Sequence, residues 1–245
     1  MNKSQLTGRS ILIAMLLLTW LPACTPEGQP GATMTTTQAT PSSAGTMLTP
    51  APQTILLPTP ELMGTLTLEE ALAKRRSVRE FTDLPLTLDE LSQLLWAAQG
   101  ITHPAGYRTA PSAGALYPLE VYVIIHEGVY HYDPPGNRLS LHQSGDLRPA
   151  LHAVALQQEP VLKAPAVFVI AAVYERTEIK YGEERSPRYV HLEAGHAAQN
   201  LLLQAVALDL GAVPIGAFID DKVTEVLSLP ADHQPLYLIP VGHPK

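Results

Sequence analysis

The segment Lys74-Arg75-Arg76-Ser77-Val78-Arg79 places four cations and a hydroxyl group within six residues. The 245-residue chain around it is acidic, with 16 Lys and Arg against 23 Asp and Glu and a formal net charge of −7. Such a cluster favours an anionic ligand, because planar guanidinium groups make paired hydrogen bonds to phosphate oxygens. The alternative is a solvated helix end whose cations bind the last carbonyl groups.

The composition of the chain excludes several classes of protein. Its hydrophobic content of 46% is too high for a disordered chain, and its single cysteine, Cys24, cannot form an internal disulfide framework. The negative net charge argues against a nucleic acid as partner. We therefore expect one sizeable hydrophobic core.

The amino terminus resembles an export signal over residues 1–23. Lys3 and Arg9 precede the apolar run 11–20, which is too short to span a bilayer comfortably. The ending Leu21-Pro22-Ala23-Cys24 resembles a bacterial lipobox, in which the cysteine is lipidated after cleavage. We expect a protein anchored through Cys24 to the extracytoplasmic face of a bacterial membrane. The alternative is a cytosolic chain with a buried thiol.

Residues 24–60 are predicted to be the lipidated cysteine and a Pro/Thr-rich tether. Positions 25–60 hold seven prolines, ten threonines and one charged residue, Glu27, without helical or strand periodicity. The folded domain is then predicted over 61–245, about 185 residues, a length that suits one domain.

Several elements of that domain follow from local patterns. Two capping boxes, Thr67 with Glu70 and Thr87 with Glu90, predict two helix starts. Alternating β-rich runs predict a hairpin, and one continuous apolar run predicts a strand covered on both faces. The predicted ranges are a hairpin at 119–125 and 129–133, the buried strand 166–174, a long helix 187–210, and short strands at 212–218 and 236–241. The fold class is therefore α+β, with helices around an antiparallel-leaning sheet.

A stretch of small residues, Pro111-Ser112-Ala113-Gly114-Ala115, lies between predicted helix and strand. Small side chains let the backbone approach a flat ligand closely. Ser112 is not accompanied by the base that a catalytic serine nucleophile needs. The segment also lacks the Lys-Ser/Thr ending that a P-loop has at a fixed spacing. The alternative is an ordinary Pro-bounded turn.

The long helix carries Glu193 and His196 on one face. A Glu-x-x-His pair is half of a carboxylate-bridged di-metal site, but the second copy and the further carboxylates are missing. His191 lies five positions before His196, which does not give the spacing of a zinc pair. We therefore expect a buried or interfacial polar cluster and no metal.

The last two candidate binding segments are apolar and contain glycines. They are Gly211-Ala212-Val213-Pro214-Ile215-Gly216 and the ending Pro240-Val241-Gly242-His243-Pro244-Lys245. Either alone is compatible with a simple strand and its turn. In this order and spacing, the four segments at 75–79, 111–120, 189–204 and 240–244 resemble the nitroreductase superfamily, most closely its SagB-type dehydrogenase branch. That resemblance implies an FMN-dependent homodimer of α+β fold, with the flavin at the subunit interface and the long helix at the dimer core.

By position, the resemblance implies that the FMN phosphate, ribityl chain and pyrimidine edge are contacted by Arg75, Arg76, Ser77 and Arg79. It assigns the segment that approaches the flavin from the partner subunit to Pro111, Ser112, Ala113 and Gly114. It assigns the segment against the isoalloxazine to Val213, Pro214, Ile215 and Gly216, and the closing phosphate-side loop to Gly242 and His243. Tyr117 is a candidate proton donor near the flavin.

The resemblance implies an oxidoreductase that transfers hydride or electrons through the flavin N5 to a small-molecule or peptide substrate. Two alternatives remain at this point. One is a degenerate family member that binds a flavin or another ligand without turnover, and the other is a flavin-free substrate-binding lipoprotein. Azoline oxidation and the reduction of nitro compounds or quinones also remain open as reactions.

Overall fold

A computed structural model describes residues 51–245. The predicted export signal, the lipidation site at Cys24 and most of the predicted tether lie outside these residues. Within residues 51–245, no helix has the length and apolar character needed to cross a membrane.

Seven helices and a seven-stranded sheet make up this part of the chain. The helices are α1 Leu68–Lys74, α2 Leu88–Gln99, α3 Arg148–Val154, α4 Glu159–Lys163, α5 Glu175–Tyr181, α6 Ser186–Ala207 and α7 Asp220–Leu227. The strands are β1 Thr54–Leu56, β2 Leu119–Ile125, β3 Gly128–Asp133, β4 Arg138–Ser144, β5 Ala166–Ala172, β6 Gly211–Ala212 and β7 Gln234–Gly242. Their order in the sheet is β1-β4-β3-β2-β5-β7-β6, and all neighbouring strands are antiparallel. The predicted α+β class is confirmed.

Both predicted capping boxes are present. The Thr67 hydroxyl accepts a hydrogen bond from the Glu70 amide, and the Glu70 carboxylate accepts one from the Thr67 amide; Thr87 and Glu90 repeat the arrangement. Each box satisfies helix N-terminal amides that would otherwise lack partners, which stabilises a helix by about 1 kcal/mol.

Strand β5 lies inside the sheet, between β2 and β7, and is buried over all seven residues. Phe168 and Ile170 pack into the core beneath α2 and α6, while Val167 and Val169 pack into the core beneath α3, α4 and α7. The prediction of a strand covered on both faces is confirmed, and helices flank the sheet on both sides.

Several sequence-based boundaries differ from the structure: the buried strand ends at Ala172 and the long helix at Ala207, and the largest differences lie at the two edges of the sheet. Strand β1 pairs with β4, and the Asn137 side-chain amide donates to the Leu57 and Pro58 carbonyl oxygens, so the sheet begins before the predicted boundary at Glu61. The predicted strand 212–218 is only two residues long as β6, because the prolines at 214 and 240 limit its pairing with β7. Beyond β6, Ile215 makes one isolated bridge to Leu238.

Candidate functional site

The arginine segment runs directly after α1 and lies beside β6. Ser77 forms a parallel bridge with Ala212, and the Val78 amide donates to the Ala212 carbonyl oxygen at 3.0 Å. Two segments separated by about 135 positions are thus joined through their main chains. This pairing fixes the direction in which the side chains of 75–79 leave the backbone.

The carboxyl-terminal segment pairs with the next residues of the same stretch. Phe81 bridges Pro244, and the Thr82 amide donates to the His243 carbonyl oxygen at 2.9 Å. His243 Nε2 lies 3.8 Å from Glu90 Oε1, next to the capping box of α2. The structure therefore brings together three of the predicted segments, at 75–79, 211–216 and 242–245.

The cations of this cluster carry no acidic partner in the described part of the chain. The ion pairs found there use Arg138, Arg148, Arg176, Lys222 and histidines, and none uses Arg75, Arg76 or Arg79. Arg76 donates to the Ala73 and Arg75 carbonyl oxygens at 3.0 and 2.7 Å, which is the helix-end role that the sequence offered as an alternative. Arg79 likewise donates to the Ser77 carbonyl oxygen at 3.5 Å, but a carbonyl group carries no net charge, so all three arginines leave positive charge available for an anion.

The residues of segment 213–216 alternate between buried and more exposed positions. Val213 and Ile215 are buried in the core, whereas Pro214 is half-buried and Gly216 is exposed. A Cβ atom at Gly216 would meet nothing within 4 Å. As far as residues 51–245 are concerned, the face of residues 214–216 is therefore open to a flat ligand.

Gly242 has a packing role. A Cβ atom at this position would lie 2.5 Å from Pro165 Cδ and 3.1 Å from Phe81 Cδ1, so only glycine lets β7 pass this close. Gly242 therefore holds the closing segment in place, while His243 is half-buried and its ring lies beside Glu90.

The small-residue segment is strained. Gly114, Ala115 and Tyr117 all have positive φ, at 66°, 55° and 47°. The strain is held by a hydrogen bond from the Tyr117 amide to Ser112 Oγ at 2.9 Å and by one from Arg176 to the Tyr117 carbonyl oxygen at 3.1 Å. Non-glycine residues in this region cost about 1–3 kcal/mol each and cluster at ligand sites.

The Tyr117 ring packs under Arg108, whose Cζ lies 4.6 Å from the ring centroid. The Arg108 amide donates to the Tyr117 hydroxyl oxygen at 3.3 Å, and the Arg108 guanidinium donates to Gln99 Oε1 at 2.7 Å. The hydroxyl oxygen acts as an acceptor here, so its own proton is free to be donated. The role of Tyr117 as a proton donor stays a prediction.

Glu193 on α6 is buried behind this segment, with 2% of its surface exposed. Burial raises its pKa to about 7, and the nearby Ser112 hydroxyl and the Arg108 charge only partly oppose the rise. Its Oε1 has no hydrogen-bond partner in the structure over 51–245. Glu193 was expected to belong to a polar cluster, whereas His196, one turn along α6, is exposed.

Lys180 and Tyr181 lie against Gly114 and were not identified from the sequence. A Cβ atom at Gly114 would lie 2.9 Å from Lys180 Nζ and 3.2 Å from Tyr181 Oη. No local pattern links α5 to residues 111–117, because their proximity arises from tertiary packing. Two titratable groups thus border the small-residue segment.

A second group of residues that the sequence analysis did not identify supports the small-residue segment through Arg176. The Glu120 carboxylate is ion-paired to Arg176 and lies 2.6 Å from His131 Nε2. Burial would raise the pKa of Glu120, but the hydrogen bonds from His131 and Arg176 outweigh that effect and lower it to about 2. Arg176 therefore connects a fixed negative charge to the strained Tyr117 backbone.

The candidate residues form two groups in one copy of the chain. The first group is the arginine segment with 211–216 and 242–245, and the second is 111–117 with Lys180, Tyr181 and Glu193. Over residues 51–245, no strand pairing or hydrogen bond joins them directly. In the same part of the chain, no three His, Cys, Asp or Glu residues are arranged to hold a metal ion.

Comparison with known proteins gives consistent matches over this region. A family model, the nitroreductase family, matches residues 72–243. A protein of Methanocaldococcus jannaschii named as a nitroreductase is 48% identical over 181 residues, which cover 71% of this chain and 90% of that protein. The FMN reductase (NADPH) of Bacillus subtilis is 31% identical over 189 residues, covering 71% of this chain and 65% of the reductase. A crystal structure from Ralstonia eutropha, also named as a nitroreductase, is 31% identical with a TM-score of 0.72, covering 80% of this chain and 91% of that one.

Proposed function

The chain belongs to the nitroreductase family, and from that premise we propose that it is an FMN-dependent oxidoreductase. The observation that carries this proposal is the convergence of three distant segments around arginines that have no acidic partner among residues 51–245. An excess of positive charge in an otherwise acidic chain favours a bound phosphate, which FMN supplies. The FMN reductase of Bacillus subtilis, which is 31% identical, supports the choice of cofactor.

The residues present fit FMN in chemical terms. Arg75 and Arg76 would neutralise the phosphate, with Ser77 on the ribityl chain and His243 at the phosphate-side loop. Arg79 would lie at the pyrimidine edge, where a cation stabilises the negative charge of a reduced flavin. The exposed Gly216, next to the half-buried Pro214, would offer the isoalloxazine ring a surface without a side chain at that position.

We further propose a homodimer in which the second group of residues meets the first across the subunit interface. The flavin would then contact Pro111, Ser112, Ala113 and Gly114 of the partner copy. Large apolar side chains are exposed on three neighbouring helices of one copy: Leu72 on α1 at 53%, Ile179 on α5 at 87% and Leu192 on α6 at 56%. A second copy would cover such surface, with the long helix α6 at the centre of the contact.

Bound FMN would supply hydride transfer at N5, which protein side chains cannot perform. The chain would supply the rest: cations that fix the phosphate, a small-residue segment that lets a planar substrate approach, and titratable groups beside it. The first candidate reaction is the reduction of a quinone or nitro compound at the expense of reduced nicotinamide.

A second candidate reaction is the SagB-type dehydrogenation of an azoline ring in a peptide. Removing two hydrogens from such a ring takes away a hydride and a proton, so a base must lie beside the substrate. Lys180 and Tyr181 border Gly114 and are groups of that kind. A comparison of azoline peptides with quinones as substrates of the Lys180→Met variant separates the two reactions, since loss of a base should affect the first more.

The proposed location is the extracytoplasmic face of a bacterial membrane, through a lipid on Cys24. The tether would hold the folded part away from the bilayer. Exchange of Cys24 for serine is then expected to release the protein from membranes. Unchanged membrane association of that variant would refute the lipid anchor.

The cofactor proposal is tested on the purified full chain. We expect a yellow protein whose flavin absorbance bleaches under dithionite and returns with a quinone acceptor. A colourless protein that also fails to take up added FMN would refute the proposal. A protein that binds FMN but turns over no nicotinamide, quinone, nitro or azoline substrate would support the degenerate binding alternative.

A further inference from the structure

The buried carboxyl group of Glu193 has as its neighbour the half-buried hydroxyl group of Ser112, which belongs to the small-residue segment. Glu193 lies on α6 with 2% of its surface exposed, and its Oε1 lacks a hydrogen-bond partner over residues 51–245. The Ser112 hydroxyl is the polar group beside this carboxyl, and it belongs to the segment in which Pro111 and Gly114 are exposed. A polar group left unpaired in the interior is costly, so its retention calls for a physical reason.

The hydrogen bonds of Ser112 determine what this pair is able to do. Its Oγ already accepts the Tyr117 amide, so one further acceptance and one donation remain. With Glu193 ionised, any hydrogen bond between the two groups must use the Ser112 proton, because a carboxylate only accepts. With Glu193 protonated, the carboxyl donates to Oγ and the Ser112 proton is released toward the open segment.

We propose that Glu193, acting through Ser112, is the proton source for the substrate reduced at the small-residue segment. This inference rests on the proposed function. Two-electron reduction of a quinone consumes a hydride and a proton, and reduced nicotinamide supplies only the hydride. As the substrate oxygen takes up the Ser112 proton, the Ser112 O–H bond breaks and is remade with the proton of Glu193, which is left as a carboxylate. Solvent returns that proton by the same hydroxyl once the product has gone.

The environment of Glu193 matches this task. A proton donor works best when it titrates near the operating pH, and burial brings the pKa of Glu193 to about 7. Arg108 is the charge that acts on this carboxyl, and it contacts Gln99 and the Tyr117 ring instead of pairing with the carboxylate. The other polar groups on the surrounding elements are Tyr117, Lys180 and Tyr181, with Tyr189 and His196 on α6 itself.

The first test needs no cofactor. In the full chain without FMN, the infrared band of a protonated carboxyl that is lost in Glu193→Gln reports the titration of Glu193. Ser112→Ala should raise the pKa read from that band, because the Ser112 hydroxyl stabilises the carboxylate. An unchanged titration would show that the two groups do not communicate and would overturn the proposal.

The second test uses the FMN-loaded chain in anaerobic single turnovers with p-benzoquinone. The rate of the unaltered protein should fall tenfold per pH unit above the pKa of Glu193. Glu193→Gln should be about a hundredfold slower at pH 6 and independent of pH, with FMN affinity unchanged, while Glu193→Asp should keep the pH dependence. Glu175→Gln, an exposed carboxyl on α5, is the matched control.

The outcomes of these tests distinguish failure of the proton path from failure of the proposed FMN-dependent function. A chain that takes up no FMN overturns the proposed function, and the proton path falls with it. A chain that binds FMN and keeps the same pH profile in Glu193→Gln overturns the proton path alone.

Discussion

Gly211 lies so close to Val78 that a Cβ atom on residue 211 would come within 2.6 Å of Val78 Cγ1 and 2.7 Å of its Cβ. Real Cβ atoms do not approach other heavy atoms this closely, and both contacts are near the rigid backbone. Val78 stands between Ser77 and Arg79, so the absence of a side chain at 211 determines where the arginine segment runs. The position of the proposed phosphate site thus depends on a residue with no polar group.

Gly211→Ala should therefore lower FMN affinity at least tenfold together with the melting temperature, because the added methyl group displaces Val78 and its neighbours. Fluorescence titration of FMN and thermal unfolding measure the two effects. Gly64→Ala, where a Cβ atom meets nothing within 4 Å, is the control and should change neither. Unaltered FMN binding by Gly211→Ala would remove the geometric link between β6 and the arginines.

The paired exchange of Arg75 and Arg76 for alanine should weaken FMN binding by a factor of about 100 or more. Hydrogen bonds to charged groups contribute roughly 1.5–3 kcal/mol each, and both guanidinium groups are assigned to the phosphate. Riboflavin lacks the phosphate, so its affinity should stay the same. Arg138→Ala removes a cation that is ion-paired to Asp133 and serves as the control. Equal losses for FMN and riboflavin would place the phosphate elsewhere.

The local elements of the fold could be predicted because their signals are local. The Thr67 and Thr87 boxes each satisfy amides within one turn, and the apolar run at 166–172 indicates burial on both faces. Strand β1 was not predicted, because its partner β4 is more than 80 residues away and the sequence around it is rich in Pro and Thr. Long-range pairing leaves no periodic trace in a three-residue strand.

In the candidate site, too, the residues with a local sequence signal could be predicted and those brought together by tertiary packing could not. The arginine, small-residue and Gly-rich segments were identified from their sequence and order, and the structure brings the first and third together. Lys180, Tyr181 and Arg176 could not be identified, because a cation on a short polar helix is typical of a solvated surface. Their closeness to Gly114 and Tyr117 appears only when α5 packs beside the strained segment.

Glu120→Gln should destabilise the protein at neutral pH by roughly 2 kcal/mol, since it breaks the contacts with Arg176 and His131. The folded-state pKa of Glu120, about 2, lies below its ordinary value of 4.5, so its contribution is present above pH 4.5 and is lost as the pH falls toward 2. Urea unfolding at pH 7 and pH 3 should show a smaller difference between variant and parent at the lower pH. Glu127→Gln, an exposed carboxyl in the β2–β3 turn, is the control, and a pH-independent difference would contradict the assignment.

Leu192→Glu should convert the proposed dimer to a monomer, because it places a charge on the exposed apolar face of α6. Sedimentation velocity of the full chain gives the mass directly, and FMN should be lost with the partner. Leu84→Glu alters a side chain that is exposed to 61% and lies outside the helices, and it should leave the dimer intact. A parent protein that sediments as a monomer and still binds FMN would show that one copy completes the site.

Glu193→Gln should stabilise the protein increasingly as the pH rises. The folded-state pKa of Glu193, about 7, lies above its ordinary value of 4.5, so between these two values the folded chain holds a proton that the unfolded chain has released. The parent therefore loses stability from pH 4.5 to pH 7 and loses no more from this group above pH 7. Glutamine removes the loss, so the variant should match the parent near pH 4 and exceed it by up to about 3 kcal/mol at pH 8. Urea unfolding free energies at pH 4, 6 and 8 measure the difference, and parallel curves for the two proteins would mean that Glu193 ionises at its ordinary pH despite its burial.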